Sequence, residues 1–107
     1  MNRLVLEAQL VERSALRYTP AGLPVLDLRL AHESELIQDG IPRKLSLEIR
    51  AKAVGRITQE IVGIEIGSRC GFAGFLGSMR NGRGIVFHVA EVSKGTARAA
   101  AIGPEAS

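Results

Sequence analysis

The residues of this chain best suited to chemistry are arginines and lysines that recur at alternate positions of predicted strands. Residues 43–52 alternate between apolar side chains such as Leu47 and Ile49 and charged side chains such as Arg50 and Lys52. Successive side chains of a strand point to opposite faces of a sheet, so one face here is apolar and the other mostly cationic. Fixed cations on a sheet attract the phosphates of a polyanion. The pattern therefore indicates phosphate binding.

Length and composition limit the class of protein. The 107 residues suffice for one domain, and 46% of them are apolar, enough for a single core. The net charge of +3 permits nucleic-acid binding without requiring it. Cys70 is the single cysteine, the N-terminus lacks a signal-peptide pattern, and no apolar run approaches the roughly 20 residues that span a bilayer. We expect a cytoplasmic protein with no membrane segment.

Five segments alternate as β-strands do, and one has helical spacing. The predicted strands are residues 3–13, 23–34, 43–52, 69–78 and 85–92. The predicted short helix is residues 53–66, in which Val54, Ile57 and Ile61 recur near helical spacing. The predicted turns and loops are residues 18–22, residues 35–42 around Asp39-Gly40, and the basic tip 79–84 with its Asn81-Gly82 signal.

This element order predicts an all-β fold. Five strands with one short helix between the third and fourth is the order of an OB-fold barrel, here assigned to residues 1–94. Residues 95–107, rich in Ala with Gly and Pro, are predicted to be a disordered tail.

The binding face of an OB barrel is formed by its second and third strands and its 1–2 and 4–5 loops. The candidate nucleic-acid-binding residues on those elements are Arg13, Arg17, Tyr18, Arg29, Arg43, Lys44, Arg50, Lys52, Arg80 and Arg83. If these side chains converge on one groove, they bind single strands through phosphates, without reading sequence and with an affinity that falls as salt rises.

A structural alternative exists for two of the arginines. In that interpretation Asp27 with Arg29 and Glu48 with Arg50 are ion pairs on a solvated sheet face.

Two valines suggest a covered surface. Val5 and Val11 lie on the otherwise polar side of the first strand. We expect that side to meet a second copy of the chain, which predicts a homodimer.

Catalytic and metal-binding patterns are missing from the sequence. His32 and His88 lie on predicted strands without a cysteine or carboxylate at ligand spacing, so both are interpreted as hydrogen-bonded structural histidines. Cys70 lies among small and apolar residues and is interpreted as a buried thiol. The glycines of residues 69–78 fit neither dinucleotide-binding nor P-loop spacing. We expect no enzyme activity and no cofactor.

Several short segments follow one another in a recognisable order. They are Asn2-Arg3-Leu4-Val5-Leu6, Pro20-Ala21-Gly22-Leu23-Pro24, Leu30-Ala31-His32-Glu33-Ser34, Gly40 with Arg43, Gly67-Ser68-Arg69, Gly74-Phe75-Leu76 and Val86-Phe87-His88. Their order and spacing resemble the primosomal replication protein N (PriB) family, which is similar to single-stranded DNA-binding proteins. The resemblance implies a homodimeric OB-fold accessory protein that binds single-stranded DNA and helps the PriA helicase and DnaT to restart replication at stalled forks.

The chain departs from this family pattern at its aromatic positions. Proteins of this type commonly carry an aromatic residue on or before the third strand, where bases stack. This chain has Ile41 and Ser46 in that region and an acidic Glu33 where a basic residue is common. We therefore expect DNA binding that is weak, electrostatic and salt-sensitive, with Tyr18 as the aromatic residue of the candidate binding loops.

Two alternatives of other classes remain open. One is a self-sufficient single-stranded DNA-binding protein, which the chain end Gly-Pro-Glu-Ala-Ser disfavours because it lacks an acidic tip. The other is an OB-fold interaction module that bridges primosome proteins with little DNA affinity of its own.

Overall fold

The strands hydrogen-bond to one another in a ring. The computed structural model describes residues 1–80 and 82–94. The elements in chain order are β1 (Leu4–Arg13), β2 (Arg17–Tyr18), β3 (Pro24–Gln38), β4 (Ile41–Val54), α1 (Ile57–Ile61), β5 (Arg69–Ser78) and β6 (Ile85–Lys94). The order in the sheet is β1-β5-β6-β4-β3-β2, and β1 also pairs with β3, which closes it. Five strands thus form a closed barrel with one short helix between β4 and β5, which confirms the predicted OB-fold.

Apolar side chains on the inner faces of the strands fill the barrel. Phe72 and Phe87 are the largest of the fully buried side chains. On β3, Leu26, Leu28 and Leu30 are buried at alternate positions, as the sequence pattern predicts. The outward positions between them are thereby left to carry charge.

β3 and β4 continue beyond the barrel as a hairpin arm (residues 32–47). The prediction of a loop at residues 35–42 is wrong, because cross-strand pairing continues up to the two-residue turn Asp39-Gly40. Both turn residues have positive φ, 53° for Asp39 and 75° for Gly40, as a type I′ hairpin turn requires. The Asp-Gly signal therefore marks a tight turn between longer strands than predicted.

The apolar face of β4 reaches the core only near the end of the strand. Ala51 is buried and Ile49 packs against the core cluster. Leu45 and Leu47 share that face, but they lie on the hairpin arm and are 44% and 38% exposed. Alternation predicts the shared face correctly, whereas burial ends where the barrel ends.

The helix is much shorter than the predicted segment 53–66. α1 has five residues, Ile57–Ile61. Ala53 belongs to β4 instead, where it lies opposite Leu26 and is fully buried. β-branched residues and glycine have low helix propensity, so the helix is confined to five residues between the end of β4 and the turns that follow. Of the residues described, none belongs to a helix long and apolar enough to cross a membrane.

β5 approaches β6 closely at Gly74. A Cβ atom at this position would lie 1.8 Å from the carbonyl oxygen of His88, so only glycine fits. The pairing register with β6 shifts between Ala73 and Gly74, as at a β-bulge, which bends a strand and increases its twist. The glycine thus serves the curvature of the barrel wall.

The last two strands follow the prediction closely. β5 has the predicted bounds, and β6 continues to Lys94, two residues beyond the predicted segment 85–92. Asn81 of the predicted turn and the predicted tail 95–107 lie outside the described residues.

Removing a core ring should destabilise the barrel. We expect Phe72→Ala to lower the free energy of unfolding by about 3–5 kcal/mol, because it removes fully buried apolar surface and leaves a cavity. Ile37→Ala is the control, because Ile37 is 74% exposed and such a change usually stays within about 0.5 kcal/mol. Urea denaturation followed by circular dichroism measures both. Equal losses in the two variants would contradict the assigned core.

Candidate nucleic-acid interface

A groove runs beside β3 and β4 and reaches the hairpin that joins β5 to β6. Its volume is about 910 Å³. The cationic side chains that line it are Arg13, Arg29, Arg50, Lys52 and Arg80, and its lining carboxylates are Glu12 and Asp27. Half of the predicted nucleic-acid-binding residues therefore share one net-cationic groove on the predicted face.

Arg29 and Arg50 lie directly opposite each other on β3 and β4. Opposite residues of an antiparallel pair have Cβ atoms about 4.5–5.5 Å apart, so these two like charges repel each other. Lys52 follows on the same face of β4. Within residues 1–80 and 82–94, neither Arg50 nor Lys52 makes an ion pair. An anion bound here would relieve the repulsion.

The carboxylates of the groove do not form the Asp27–Arg29 pair of the structural alternative. Asp27 accepts two hydrogen bonds from Arg17 of β2, at 2.9 Å from Nε and 3.2 Å from Nη2. Those hydrogen bonds and the charge of the carboxylate raise the pKa of Arg17 above its ordinary value. Oε1 of Glu12 lies 3.7 Å from Nε of Arg29. Both arginines are thus held at the groove by acids that compete with an incoming phosphate.

Arg13 supports the structure of the groove. Its Nη1 donates hydrogen bonds to the carbonyl oxygens of Ile61, at 3.3 Å, and of Ile64. The last carbonyls of a helix lack partners within the helix, so the guanidinium satisfies groups at and after the end of α1. Arg13 joins α1 to the groove wall, and its guanidinium is partly engaged before any ligand binds.

The predicted residues of the hairpin arm are far from the groove. Lys44 is eight residues from Lys52 along β4, about 26 Å at the spacing of a β-strand. Lys44 shares a smaller depression with Glu33 and Glu35, which reduce its attraction for phosphate. Arg43 precedes it on the arm. The structure thus separates Arg43 and Lys44 from the cations that line the groove.

Tyr18 and Arg83 also lie outside the groove lining. Tyr18 belongs to the short strand β2, opposite Pro24, and is 63% exposed. Arg83 lies in the segment between β5 and β6. Arg17 does not line the groove, but it donates a hydrogen bond to Asp27, which does.

The two predicted interface valines lie at different places on β1. Val5 pairs with Ala73 of β5 and is 66% exposed. Val11 lies at a register shift between Leu10 and Glu12 and lines the groove. The structure therefore does not bring them onto one patch.

One predicted structural histidine and the cysteine are confirmed. The His32 ring lies 2.6 Å from the Glu7 carbonyl oxygen through Nδ1 and 3.0 Å from the Ser34 hydroxyl through Nε2. Cys70 is a buried free thiol.

His88 differs from its predicted role as a hydrogen-bonded structural residue. Its ring stacks on that of Phe75, with centroids 5.0 Å apart and an interplanar angle of 17°. His88 also lines the groove, and Phe75 is 48% exposed. The usable sequence signal was alternation, because Phe87 and Val89 are inward residues and His88 between them must point outward.

A closed five-stranded barrel with a cationic groove beside its second and third long strands defines an OB-fold protein of the oligonucleotide-binding type. A family model described as "another single-strand binding protein family" matches residues 2–91. The replication restart protein PriB of Bordetella pertussis is 42% identical over 80 residues, which are 75% of each chain.

Solved structures give the same result. PriB from Ralstonia solanacearum superposes with a TM-score of 0.79 at 32% identity, covering 88% of this chain and 97% of that one. A deletion mutant of the single-stranded DNA binding protein from Thermus aquaticus superposes with a TM-score of 0.71 at 25% identity, covering 92% of this chain and 52% of that one. The chain belongs to the single-strand binding protein family and, within it, to the PriB proteins.

Removing the carboxylate that holds Arg17 should strengthen polyanion binding. We expect Asp27→Asn to tighten the binding of a single-stranded oligonucleotide at low salt, because it frees Arg17 and removes repulsion of phosphates. The slope of log K against log salt should steepen by about 0.7 for one additional phosphate contact. Fluorescence anisotropy across a salt series measures both quantities.

The control is Glu91→Gln, which removes the same charge beside Arg3, outside the groove lining. An equal gain in both variants would show that net charge alone, and not the groove, decides affinity.

Proposed function

We propose that this protein binds single-stranded DNA without sequence preference and acts as an accessory factor in replication restart. The observation that carries the proposal is the groove itself, where five cationic side chains meet and Arg29 and Arg50 are directly opposed. Opposed like charges on neighbouring strands destabilise a sheet unless something offsets them, and a phosphate backbone does so.

The cations and the position of the groove favour contact with the phosphates of a single strand over base-specific recognition of a duplex. Arg29 and Arg50, which lie opposite each other in the sheet, are on a wall of the barrel. Among the described residues no helix is longer than the five-residue α1, so none is suited to enter the major groove of a duplex. Flexible arginine and lysine side chains contact phosphates irrespective of base sequence. The names of the relatives, replication restart protein PriB and single-stranded DNA binding protein, support the same ligand.

The partners proposed for this role follow from membership in the PriB proteins. We infer that the chain works in the cytoplasm with the PriA helicase and with DnaT, as the family resemblance implies. Support for these two partners comes from the family alone.

We further propose that the protein is a homodimer joined through β1. Pairing of β1 with β5 covers residues 4–9, whereas pairing with β3 begins only at Gln9. Among the described strands, none covers the other edge of residues 4–8, where the His32 ring meets the Glu7 carbonyl. An exposed edge is a template for pairing, and two copies can satisfy it reciprocally across a two-fold axis.

A second candidate function is supported by the hairpin arm. Its apolar side chains Leu36, Ile37, Ile41, Leu45 and Leu47 are each more than one third exposed. Such a surface is typical of protein contacts, so an interaction module that bridges primosome proteins is the alternative. A DNA affinity that does not respond to salt would favour this alternative over groove binding.

Neutralising the unpaired cations of the groove should weaken DNA binding. We expect Arg50→Ala with Lys52→Ala to reduce affinity for oligo-dT and mixed-sequence oligonucleotides alike, because phosphate contacts carry no sequence information. The salt slope should fall by about 1.4, from about 0.7 for each single-strand phosphate contact. Anisotropy titrations across a NaCl series provide the measurement.

The matched control is Arg3→Ala with Arg69→Ala, which removes equal charge from residues paired with Glu91 and Glu7 outside the groove. Equal losses in the two double variants, or a wild-type affinity indifferent to salt, would refute the groove as the DNA site.

Introducing charge at the β1 edge should separate the proposed dimer. We expect the wild-type chain to show twice its 11.4 kDa mass in light scattering and Val5→Glu to show a single chain. Val62→Glu is the control, because Val62 is also half exposed but lies at the end of α1. A monomeric wild type would rule out the dimer.

A further inference from the structure

The ring pair Phe75–His88 stands on the outer face of the barrel next to the groove. Phe75 of β5 lies opposite His88 of β6, and His88 lies opposite Lys52 of β4. Neighbouring strands are about 4.8 Å apart, so the backbone of His88 is that far from the backbone of Lys52, a groove cation without an ion pair among the described residues. The rings and the cation form one continuous row across the sheet.

The imidazole of His88 lies between the Phe75 ring and the groove. One face of His88 is covered by the Phe75 ring at a centroid distance of 5.0 Å. Because Phe75 and Lys52 flank His88 on opposite sides, the other face is turned to β4 and to the groove that His88 lines. Within residues 1–80 and 82–94, no hydrogen bond or ion pair occupies this imidazole.

The residues of β5 beside the two rings are small. The outward positions of β5 nearest to Phe75 are Ala73 and Gly77, so no large side chain of that strand lies directly beside the ring. A Cβ atom at Gly77 would lie 3.0 Å from Nε2 of His88, so the glycine leaves room for the imidazole. These small neighbours leave the half-exposed Phe75 ring and the partly buried His88 ring accessible to a planar group.

The core does not account for these rings. Phe72 and Phe87 fill the barrel and are fully buried, whereas Phe75 is 48% exposed on the opposite face. An exposed aromatic surface next to phosphate-binding cations is the combination that single-strand binding proteins use, because every base has a π-face. The third-strand region, with Ile41 and Ser46, lacks such a surface.

We propose that the Phe75–His88 pair is a base-stacking site, which takes one nucleobase of a strand whose phosphates lie on Arg50 and Lys52. The proposal rests on the proposed function and specifies what that site recognises besides charge. It differs from the sequence-based expectation of weak, electrostatic binding in which Tyr18 is the aromatic residue of the candidate binding loops.

The experiment separates the base from the backbone. Anisotropy titrations compare oligo-dT with an abasic oligonucleotide of the same length and phosphate number, using the wild type and Phe75→Leu. Leucine keeps an apolar side chain at the position, and thermal melting checks that the variant is folded. We expect Phe75→Leu to bind oligo-dT about tenfold more weakly, within the range for one lost stack, and to leave abasic binding and the salt slope unchanged.

The outcomes distinguish the two proposals. Arg50→Ala should lower binding to both oligonucleotides and reduce the salt slope, which marks a phosphate contact. Unchanged oligo-dT binding by Phe75→Leu, with salt-dependent wild-type binding, would overturn the stacking site and leave the proposed function standing. Absence of wild-type binding to either oligonucleotide would overturn both.

A second measurement locates the base directly. Ultraviolet cross-linking of an oligonucleotide containing 5-bromouracil should place adducts in the tryptic peptides of residues 70–80 or 84–94, which contain Phe75 and His88. Adducts found only in other peptides would overturn the site. A change in oligomeric mass for Phe75→Leu with unchanged DNA affinity would assign the rings to a protein interface and overturn it as well.

Discussion

Closure of the barrel by β1 is the constraint on which the other features depend. This strand pairs with β5 through its first half and with β3 through its second half, and Gln9, which pairs with both, marks the change of partner. Closure brings Arg13 to the end of α1 and sets one wall of the groove. It also leaves the first half of β1 with an edge that the described strands do not cover, which is the basis of the proposed dimer.

The charges of the groove follow from the register between β3 and β4. That register sets Arg29 opposite Arg50 and Asp27 opposite Lys52. β2 then brings Arg17 to Asp27, so the carboxylate is committed to a neighbour outside the pair. The carboxylates of the groove therefore offset only part of the repulsion between its cations. The affinity of this surface for an anion reflects both the unpaired cations and the acids that compete with a ligand.

The surfaces proposed for function lie on different parts of the molecule. The groove and the ring pair Phe75–His88 are adjacent and suit the backbone and one base of the same strand. The edge of β1 lies at Val5, whereas the hairpin arm extends from the barrel with apolar side chains such as Ile37 exposed. A chain organised in this way has room for DNA, a second copy and a protein partner at separate places.

Local pattern in the sequence determined the number and type of the long strands, the position of the Asp39-Gly40 turn and the outward cations of β3 and β4, because alternation is a property of neighbouring residues. Alternation cannot show where a strand leaves the barrel, so the exposure of Leu47 and the short α1 required the fold. Only the tertiary structure decided which cations meet, which acids hold Arg17 and Arg29, and that Phe75 lies against His88. These contacts join residues distant in the chain through strand register, which depends on the packing of the whole barrel.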